Sequence, residues 1–465
     1  MLRTPQYIAI DLGSSYLKGA VLDLDGLTIR HIERLPFPEP IPGLPTAFRE
    51  FDPGEVVAAT RALLERLLHH APEAQACVMC SQLHSLVLSD DHGRPLSNII
   101  NWQDQRALQP DTQGSGTYFD EINRRITSDE RRQLGNEPRP GVPLCFLFWL
   151  AQNRALPQGP VLAASLPAFV AANLCGSTPV LDITNAFAHG ALNVETGAWH
   201  ESVITKLGLE CVGWPRIVEQ GSVVGEMRNG SRVLPMFAPG GDYQCSQAGA
   251  LLEPEELSVN ISTGSAVIQF AQGLEFGDFQ TRPWFGGRHL KTITHIPGGR
   301  ALNALVRLLS ELAEAQGLKL RDPWDYIIEQ SGRVATTDLR VDPAFYFSAM
   351  GEHGAITNAR EENLNVGHLF RAAFEGMADN YARCARRICP TGDWPRLVFS
   401  GGVALKTPPL RQLICERLGQ EHRLAPSEED TLLGLLVLGL TFSGRAKSVA
   451  GAMSFVKQNY KPDSP

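Results

Sequence analysis

The first loop of the chain carries residue types that can bind an anion and a metal ion. Residues 11–15 read DLGSS, and Lys18 follows closely. Glycine lets the backbone turn sharply, and successive N–H groups with two hydroxyls and a lysine make a nest for phosphate oxygens. Asp11, at the end of a strand, is placed to hold Mg²⁺ through water. An ordinary hairpin with an aspartate-stabilised turn is the alternative for this loop taken alone.

A second loop of the same kind occurs about 250 positions later, as expected for an internal repeat. Residues 262–265 read STGS, and the two surrounding segments read AIDLGSSYLKGAVL and SVNISTGSAVIQF. Each loop leads from one strand into another strand. Two such loops in matching positions suggest a phosphate chain held between two related domains that face each other. A repeat of two hairpins without a ligand is the alternative.

Asp242 follows an apolar strand and two glycines, and it opens a small-residue helix that begins DYQCSQAGALL. Aspartate at such a place is commonly an N-cap. It can also be a general base, which accepts a proton from a substrate hydroxyl while a phosphoryl group is transferred in line. The two roles are compatible, and position alone leaves both open.

Two glycine pairs stand at the starts of helices. Gly401-Gly402 lies at a turn from strand to helix, and Gly298-Gly299 precedes the helical segment RALNALVRLL. Such turns let a nucleotide approach the backbone closely. Tight turns without a ligand are the equal alternative.

Two short stretches, SQLHSLVL and NWQDQRA, carry polar and aromatic residues of the kind that binds a polyol. Carboxylates and guanidinium groups can hydrogen-bond hydroxyls, and tryptophan offers an apolar face. The alternative is that these side chains belong to the core. The candidates are Gln82, His84, Trp102, Asp104, Gln105 and Arg106.

The elements around the first loop form a meander rather than a dinucleotide-binding motif. Residues 7–10, 17–24 and 27–31 are apolar strand candidates, with turns at the loop and at Asp25-Gly26. A Rossmann glycine loop leads from a strand into a helix, whereas this loop leads into a strand. The pattern therefore argues against a dinucleotide site.

Periodicity predicts the remaining elements and a division near residue 239. We expect an N-terminal domain at 1–238 and a C-terminal domain at 239–465. Helices are predicted at 55–69, 142–153, 162–174, 366–385, from 402 through 418, and from 432 onward. Strands are predicted at 77–88, 231–238, 257–262, 266–270, 396–400 and near 423.

The bulk composition is that of a globular protein with an acidic balance. The chain has 465 residues, 43% of them hydrophobic and 20% charged, with a net charge of −8. This length favours two domains of roughly 200 residues each. A nucleic-acid-binding protein would show a basic face, so the charge argues against that class, although a pocket for an anion can still be locally positive.

The cysteines and the termini favour a cytoplasmic protein. There are nine scattered cysteines, and the pair Cys77 and Cys80 lies in an apolar strand without a second pair at zinc spacing. The N-terminus reads as a strand rather than a signal peptide. The longest apolar run, 432–442, is too short to span a bilayer.

These motifs, taken in order, resemble the FGGY family of carbohydrate kinases over nearly the whole chain. The matching segments are DLGSS, SQLHS, NWQDQR, DITNAFAHGALNVETGAW, GGDYQ, STGS, GEHG, AAFEGMADN and SGGVALKTP. The resemblance implies an α/β fold with two actin/hexokinase-like (ribonuclease H-like) domains. In such a fold, mixed sheets are flanked by helices and an active-site cleft lies between the domains. It also implies ATP and Mg²⁺ as cofactors.

The resemblance assigns roles residue by residue. Asp242 corresponds to the catalytic base, and Asp11 together with Asp242 to the metal site. The ATP- and phosphate-binding positions correspond to Gly13, Ser14, Ser15, Lys18, Thr263, Gly264, Gly299, Gly402, Val403 and Lys406. The substrate-binding positions correspond to Gln82, Leu83, His84, Trp102, Asp104, Arg106, Asp242 and Tyr243.

Several phrases resemble the sedoheptulokinases of this family, among them NWQDQR, VNISTGSA, PGGRALN and NVGHLFRAAFEGM. They imply phosphorylation of sedoheptulose to sedoheptulose 7-phosphate. Departures from the family pattern are Tyr243 after the catalytic aspartate, Lys406 beside the expected adenosine, GEHG, and Phe146 where a lysine is usual. Tyr243 weakens a xylulose or glycerol assignment, and Lys406 leaves the nucleotide preference open.

Three functions stay open at this point. They are a sedoheptulose kinase, another kinase of the family acting on xylulose, ribulose or glycerol, and a non-catalytic sugar or nucleotide sensor. We expect a small-molecule sugar as the partner, with no nucleic acid and no membrane. A homodimer is left open.

Overall fold

The strands form two main sheets and several short ribbons. The computed structural model describes residues 5–112, 114–230 and 232–461; residues 1–4 and 231, which fall in predicted strands, lie outside the described residues. The strands of this part are β1 (Gln6–Leu12), β2 (Tyr16–Asp23), β3 (Thr28–Pro36), β4 (Glu50–Phe51), β5 (Ala76–Ser81), β6 (Val87–Ser89), β7 (Ile99–Ile100), β8 (Val161–Ala164), β9 (Leu192–Asn193), β10 (Ala198–Trp199), β11 (Val212–Gly213), β12 (Val223–Asn229), β13 (Arg232–Phe237), β14 (Gly240–Gly241), β15 (Leu257–Ile261), β16 (Ser265–Phe270), β17 (Gln280–Pro283), β18 (His289–Ile296), β19 (Arg340–Asp342), β20 (Ala355–Thr357), β21 (Leu397–Ser400) and β22 (His422–Leu424).

The helices are distributed along the whole chain. Those within the described residues are α1 (Pro53–His70), α2 (Tyr118–Arg125), α3 (Ser128–Gln133), α4 (Pro143–Gln152), α5 (Leu166–Cys175), α6 (Ile183–Ala188), α7 (Glu201–Lys206), α8 (Asp242–Gly249), α9 (Gly299–Ala315), α10 (Trp324–Arg333), α11 (Val366–Ile388), α12 (Gly402–Lys406), α13 (Pro408–Leu418), α14 (Asp430–Phe442) and α15 (Val449–Asn459).

Compact packing divides the chain into two units. The first contains Met1–Leu251, Thr281–His289 and Glu429–Pro465, and the second contains Leu252–Gln280 and Leu290–Glu428. The predicted boundary at 238/239, placed where the strand predicted at 231–238 ends, falls within Met1–Leu251 of the first unit, and the division into domains at 1–238 and 239–465 stays a prediction.

The sheet of the first unit is mixed. Its order is β12-β13-β5-β1-β2-β3, with β14 also paired to β5. Strands β1, β2 and β3 are an antiparallel meander, and β5 pairs with β1 in parallel. The predicted strand–turn–strand at the first loop is therefore confirmed. One hydrophobic core covers this sheet, where Leu63, Leu64 and Leu67 of α1 pack on Ile8 and Ile10.

The sheet of the second unit repeats this pattern. It contains β18, β16, β15, β21 and β22 in that order. Strands β15 and β16 are antiparallel, as are β16 and β18, while β21 pairs with β15 in parallel. A second core forms around α11, whose Phe370, Phe374 and Tyr381 are fully buried. The predicted long core helix is thus confirmed.

Three predicted elements differ from the structure. The helix predicted at 162–174 begins only at Leu166, because Ser165 caps it and β8 occupies 161–164. The strand predicted at 77–88 breaks between β5 and β6. The helix predicted through 418 is two helices, since Pro408 lacks the N–H needed to continue α12 and starts α13.

Candidate active site

Neighbouring strand ends bring Asp11 and Asp242 to one edge of the first sheet. Asp11 of β1 pairs in register with Cys80 of β5, and Gly240 of β14 pairs with the same Cys80. Gly241 is the residue before α8, and Asp242 is the first residue of the helix. The Tyr243 N–H donates to Asp242 Oδ1 at 2.7 Å. Asp242 therefore lies inside the first turn, and the N-cap itself is Gly241.

Asp11 is held from one side only. It is 3% exposed. Its Oδ2 atom accepts a hydrogen bond from Thr431 Oγ1 at 2.7 Å and lies 3.4 Å from Lys18 Nζ. Its Oδ1 atom is buried and has no hydrogen-bond partner among the described residues. Buried carboxylate oxygens rarely lack a partner, so this atom is the natural ligand for a cation or its water.

Burial and neighbouring carboxylates raise the pKa of Asp242 at this edge of the sheet. Burial raises the pKa of Asp242 to about 8, with further contributions from Asp11 and Asp430. Burial likewise raises the pKa of Asp430 to about 7, although Lys18 opposes this. Clustered carboxylates disfavour each other's charge, which is the condition that a bound cation relieves.

The predicted phosphate-loop residues form the turn between β1 and β2. Gly13 N–H donates to Tyr16 O at 3.1 Å, and Ser15 is exposed. Lys18 contacts Glu429 at 3.2 Å as well as Asp11. Burial alone would lower the pKa of Lys18, but Asp11 and Glu429 raise it, so it stays charged. The lysine is thus anchored beside the loop by two carboxylates.

Residues at the start of α14 are part of this edge and were not predicted. They are Glu429, Asp430 and Thr431. The helix reaches the site because α14 packs closely on α8: a Cβ atom on Gly249 would overlap the Asp430 carbonyl oxygen. The acidic run SEEDT before an apolar helix was the available signal.

The predicted sugar-binding stretch after β5 lies against the start of α8. Leu83 is 6% exposed, and its Cδ2 atom is 2.7 Å from where a Cβ atom on Gly241 would lie. Gln82 is also buried, and neither its Oε1 nor its Nε2 atom has a hydrogen-bond partner among the described residues. A buried amide with both atoms unsatisfied indicates a position for a polar ligand.

His84 belongs to a buried charged network. Its Nε2 atom lies 2.5 Å from Glu137 Oε1, which also contacts Arg139 at 2.9 Å and Arg282 at 3.0 Å. The Arg282 guanidinium lies 4.6 Å from the centre of the Tyr243 ring. The network thus connects the predicted sugar-binding stretch to the residue after Asp242. Glu137, Arg139 and Arg282 were not predicted, since no local pattern marks them.

The second predicted sugar-binding stretch has a structural role in the first unit. Both oxygens of Asp104 accept hydrogen bonds from Arg106, at 2.8 Å each, and Oδ2 also accepts from the Arg49 N–H. Arg106 is 2% exposed and also pairs with Glu50. Trp102 is partly buried. The groups of Asp104 and Arg106 are therefore already engaged, and their sugar-binding roles stay predictions.

In the second unit, three glycine turns meet around Ser262. Gly299 N–H donates to Ser262 O at 2.9 Å, and Arg300 N–H donates to Thr263 O at 3.0 Å. A Cβ atom on Gly401, whose φ is +85°, would lie 2.6 Å from Ser262 Oγ. The structure therefore brings together the predicted nucleotide positions of three separate segments. They are Thr263, Gly264, Gly299, Gly402 and Val403.

Glycine 402 and Lys406 belong to the short helix α12. Both are exposed, and a Cβ atom on Gly402 would meet no other atom within 4 Å. Val403 Cγ2 would lie 3.0 Å from a Cβ atom on Gly299. This surface is open enough for a ligand to approach the backbone.

The donor set fits a shared rather than an enclosed metal site. Within the described residues, no group of three or more His, Cys, Asp or Glu side chains could hold a metal ion by itself. Mg²⁺ usually takes one or two carboxylates and completes its shell with water and substrate phosphates. Asp11, with its unpartnered Oδ1 atom, suits that kind of binding.

No helix in the described part of the chain combines the length and apolar character that crossing a bilayer requires.

Known proteins of similar sequence and fold are sugar kinases. A gluconokinase from Bacillus licheniformis is 23% identical over 96% of this chain and 89% of its own length. A gluconate kinase structure from Lactobacillus acidophilus superposes with a TM-score of 0.82 at 18% identity, covering 97% of this chain and 92% of that one. A glycerol kinase from Plasmodium falciparum, solved with ADP, gives 0.80 at 17% identity, covering 98% and 92%.

The predicted fold class is confirmed by these structural neighbours and by the mixed, helix-flanked sheets. Residues 6–238 match the family model described as the N-terminal domain of the FGGY family of carbohydrate kinases. The chain belongs to the FGGY family of carbohydrate kinases, and it is a phosphotransferase acting on a sugar or polyol.

Proposed function

We propose that this kinase transfers the terminal phosphoryl group of ATP to a sugar hydroxyl, with Asp242 as the general base. The observation that carries the proposal is that Asp11 and Asp242 lie at the same edge of the first sheet, since Asp11 and Gly240 both pair with Cys80 of β5. Asp242 accepts the proton of the attacking hydroxyl as the new P–O bond forms and the bond to ADP breaks. Its raised pKa makes the ionised carboxylate a stronger base than an exposed aspartate.

Asp11, together with Asp242, would hold Mg²⁺ in this proposal. The ion, when bound, supplies positive charge that neutralises the phosphate oxygens. Asp11 offers its Oδ1 atom, while Thr431 and Lys18 fix its Oδ2 atom. The positive charge of Lys18 also favours an anionic ligand at the neighbouring loop.

The turns around Ser262 are proposed to bind the nucleotide. The exposure of Thr263 and Gly264 and the open surface at Gly402 support this role. Lys406 at the end of the same helix would contact the nucleotide from the side. In the first unit, the loop residues Gly13, Ser14 and Ser15 are proposed to contact the phosphates.

For the acceptor we propose sedoheptulose, on the basis of the motif resemblance described above. Gln82, Leu83, His84 and Tyr243 would line its site, and the unsatisfied amide of Gln82 supports a polar ligand there. The second stretch gives weaker candidates, because Asp104 and Arg106 already pair with each other. Its third candidate is Trp102.

A sugar acid is the second candidate acceptor. Two buried arginines, Arg139 and Arg282, both contact the single carboxylate of Glu137. Burial lowers the pKa of Arg139 to about 10, and the nearby Arg282 adds to this effect. The carboxylate of a sugar acid would therefore be bound favourably beside Arg139 and Arg282. The similarity to gluconokinases agrees with that possibility.

The decisive experiment is ADP release across a panel of ketoses, polyols and aldonic acids. The panel includes sedoheptulose, xylulose, ribulose, glycerol and gluconate. One acceptor should stimulate ADP release strongly, and Asp242→Asn should abolish that stimulation. If none of these acceptors stimulates ADP release by the wild type, a sensor becomes the better explanation.

The compartment and the assembly remain proposals. All nine cysteines are free thiols in the structure, which fits a reducing cytoplasm. A homodimer stays an open prediction.

A further inference from the structure

The carboxylate of Glu137 is the centre of a buried charged network, and no sequence motif predicts it. Glu137 is 0% exposed, and its Oε1 atom contacts His84 Nε2, Arg139 and Arg282 at 2.5, 2.9 and 3.0 Å. Arg282 also reaches Oε2 at 3.2 Å. Burial would raise the pKa of Glu137, but Arg139 and Arg282 hold it well below its usual range. The group is therefore an ionised carboxylate, which can only accept hydrogen bonds.

Two groups near His84 Nε2 decide where the proton of the ring lies. Glu137 Oε1 is 2.5 Å away, and Arg139 Nη2 is 2.9 Å away but also donates to Glu137 Oε1 at 2.9 Å, so its hydrogen has another acceptor. A ring nitrogen 2.5 Å from an ionised carboxylate oxygen must carry a hydrogen to donate. Burial, followed by the repulsion from Arg139, lowers the pKa of His84 to about 3, so the ring holds only one proton. That proton is on Nε2, and Nδ1 keeps a lone pair. No described residue forms a hydrogen bond with Nδ1.

The backbone of His84 adds an independent sign of constraint. Its φ is +63°, in the left-handed region that non-glycine residues rarely adopt. Such a conformation is unfavourable for a residue with a Cβ atom and persists where the surroundings impose it. The contact with Glu137 is a physical reason for the chain to keep it.

The position of the network relates it to the acceptor. Leu83, the residue before His84, packs toward Gly241, the residue before Asp242. On the other side, Arg282 lies against the Tyr243 ring. Gln82, two residues before His84, has a buried side-chain amide without hydrogen-bond partners among the described residues. His84 therefore follows the residues that lie beside the start of α8, and its network reaches Tyr243 through Arg282.

We infer that Glu137 is a positioning residue, which holds His84 with Nε2 protonated so that Nδ1 accepts a hydrogen bond from a hydroxyl of the sugar. This rests on the proposed function, because it concerns the acceptor of that same reaction. Glu137 thus fixes the tautomer and orientation of the His84 ring, not its charge.

The test compares KM values for the best acceptor. Glu137→Gln should raise the KM for the sugar about tenfold and leave the KM for ATP unchanged, since only one acceptor contact is lost. A KM for the sugar within twofold of wild type would overturn the inference.

A matched pair at His84 covers the case in which Glu137→Gln does not fold. His84→Asn keeps an acceptor close to the Nδ1 position and tolerates a positive φ. His84→Gln keeps a group near Glu137 but lacks that acceptor. The KM for the sugar should rise about tenfold more in His84→Gln than in His84→Asn. Equal effects of the two substitutions would contradict it.

Nitrogen-15 NMR of the histidine rings separates this inference from the proposed function. The signal lost in His84→Asn identifies His84, and near pH 7 the wild-type ring should show the Nε2–H tautomer. The Nδ1–H tautomer would overturn the inference whatever the activity is. Failure of the proposed function would appear differently, as wild-type enzyme that no sugar stimulates.

Discussion

The Thr431 hydroxyl donates a hydrogen bond of 2.7 Å to Asp11 Oδ2, across 420 positions of the chain. This hydrogen bond joins the first turn of α14 to the end of β1 within the first unit. The bond turns the carboxylate of Asp11 so that Oδ1 has no partner among the described side chains. Thr431 thus orients the proposed metal ligand.

Replacing Thr431 by valine should weaken the binding of the metal ion at the site. The substitution keeps the shape and removes the donor to Asp11, so we expect the Mg²⁺ concentration for half-maximal activity to rise about tenfold. Titration of Mn²⁺ binding by electron paramagnetic resonance checks this without turnover. Thr431→Ser, which keeps the hydroxyl, should resemble wild type. Unchanged Mn²⁺ affinity in the valine variant would refute the role.

The close packing of α8 on α14 should be intolerant of any side chain. A Cβ atom on Gly249 would overlap the carbonyl oxygen of Asp430, and one on Gly434 would overlap that of Cys245. Gly249→Ala should lower the free energy of unfolding by about 2–3 kcal/mol. Thermal unfolding measures this. Gly332→Ala, in open space within α10, is the control and should be neutral or slightly stabilising. Equal stability of the Gly249 and Gly332 variants would contradict the packing.

Asp242 should make the metal-free protein less stable as the pH rises. Its pKa is raised to about 8 in the folded state, so between about pH 4 and pH 8 the folded state binds a proton that the unfolded state has lost. Stability therefore falls across this window. Asp242→Asn removes this contribution and should be more stable than wild type by roughly 5 kcal/mol at pH 9 and nearly equal at pH 4. Melting curves at both pH values, in EDTA, check it. A difference between the two proteins that does not grow with pH would disprove the shift.

Substitutions at the two glycines that start α12, Gly401 at the N-cap and Gly402 in the helix, should separate effects on nucleotide binding from effects on folding. Gly402 faces open space, so Gly402→Ala should leave the melting temperature unchanged and raise the Kd for ATP about tenfold if the nucleotide packs there. Gly401 has a φ of +85° and contacts Ile261 and Ser262, so Gly401→Ala should lower the melting temperature as well. Isothermal titration with ATP distinguishes them. A Gly402 variant with wild-type affinity would remove this surface from the nucleotide site.

Local patterns predicted much of the fold. The meander at 7–31, helix α1 and the long helix α11 follow from alternation or from 3.6-residue periodicity, and the structure confirms them. The start of α5 was predicted too early, because an apolar strand followed by an apolar helix gives one continuous signal that only Ser165 and Pro167 divide.

The candidate site was predictable only where its residues are consecutive. Asp11, Asp242 and the glycine turns stand in short motifs. Arg282 and Glu137 are 145 positions apart, and neither lies in a motif. Thr431 reaches Asp11 only after the chain has completed both units. Such pairs are created by the tertiary fold, so one sequence without structure cannot reveal them.

The most direct test is the turnover of Asp242→Asn with the best acceptor of the wild-type enzyme. Binding of ATP and of the sugar should be retained, because asparagine keeps the size of the side chain. The rate of ADP release at saturating substrates should fall by about 10²–10⁴-fold, the usual contribution of a general base. A variant that phosphorylates the sugar as fast as wild type would contradict the assignment of Asp242 as the base.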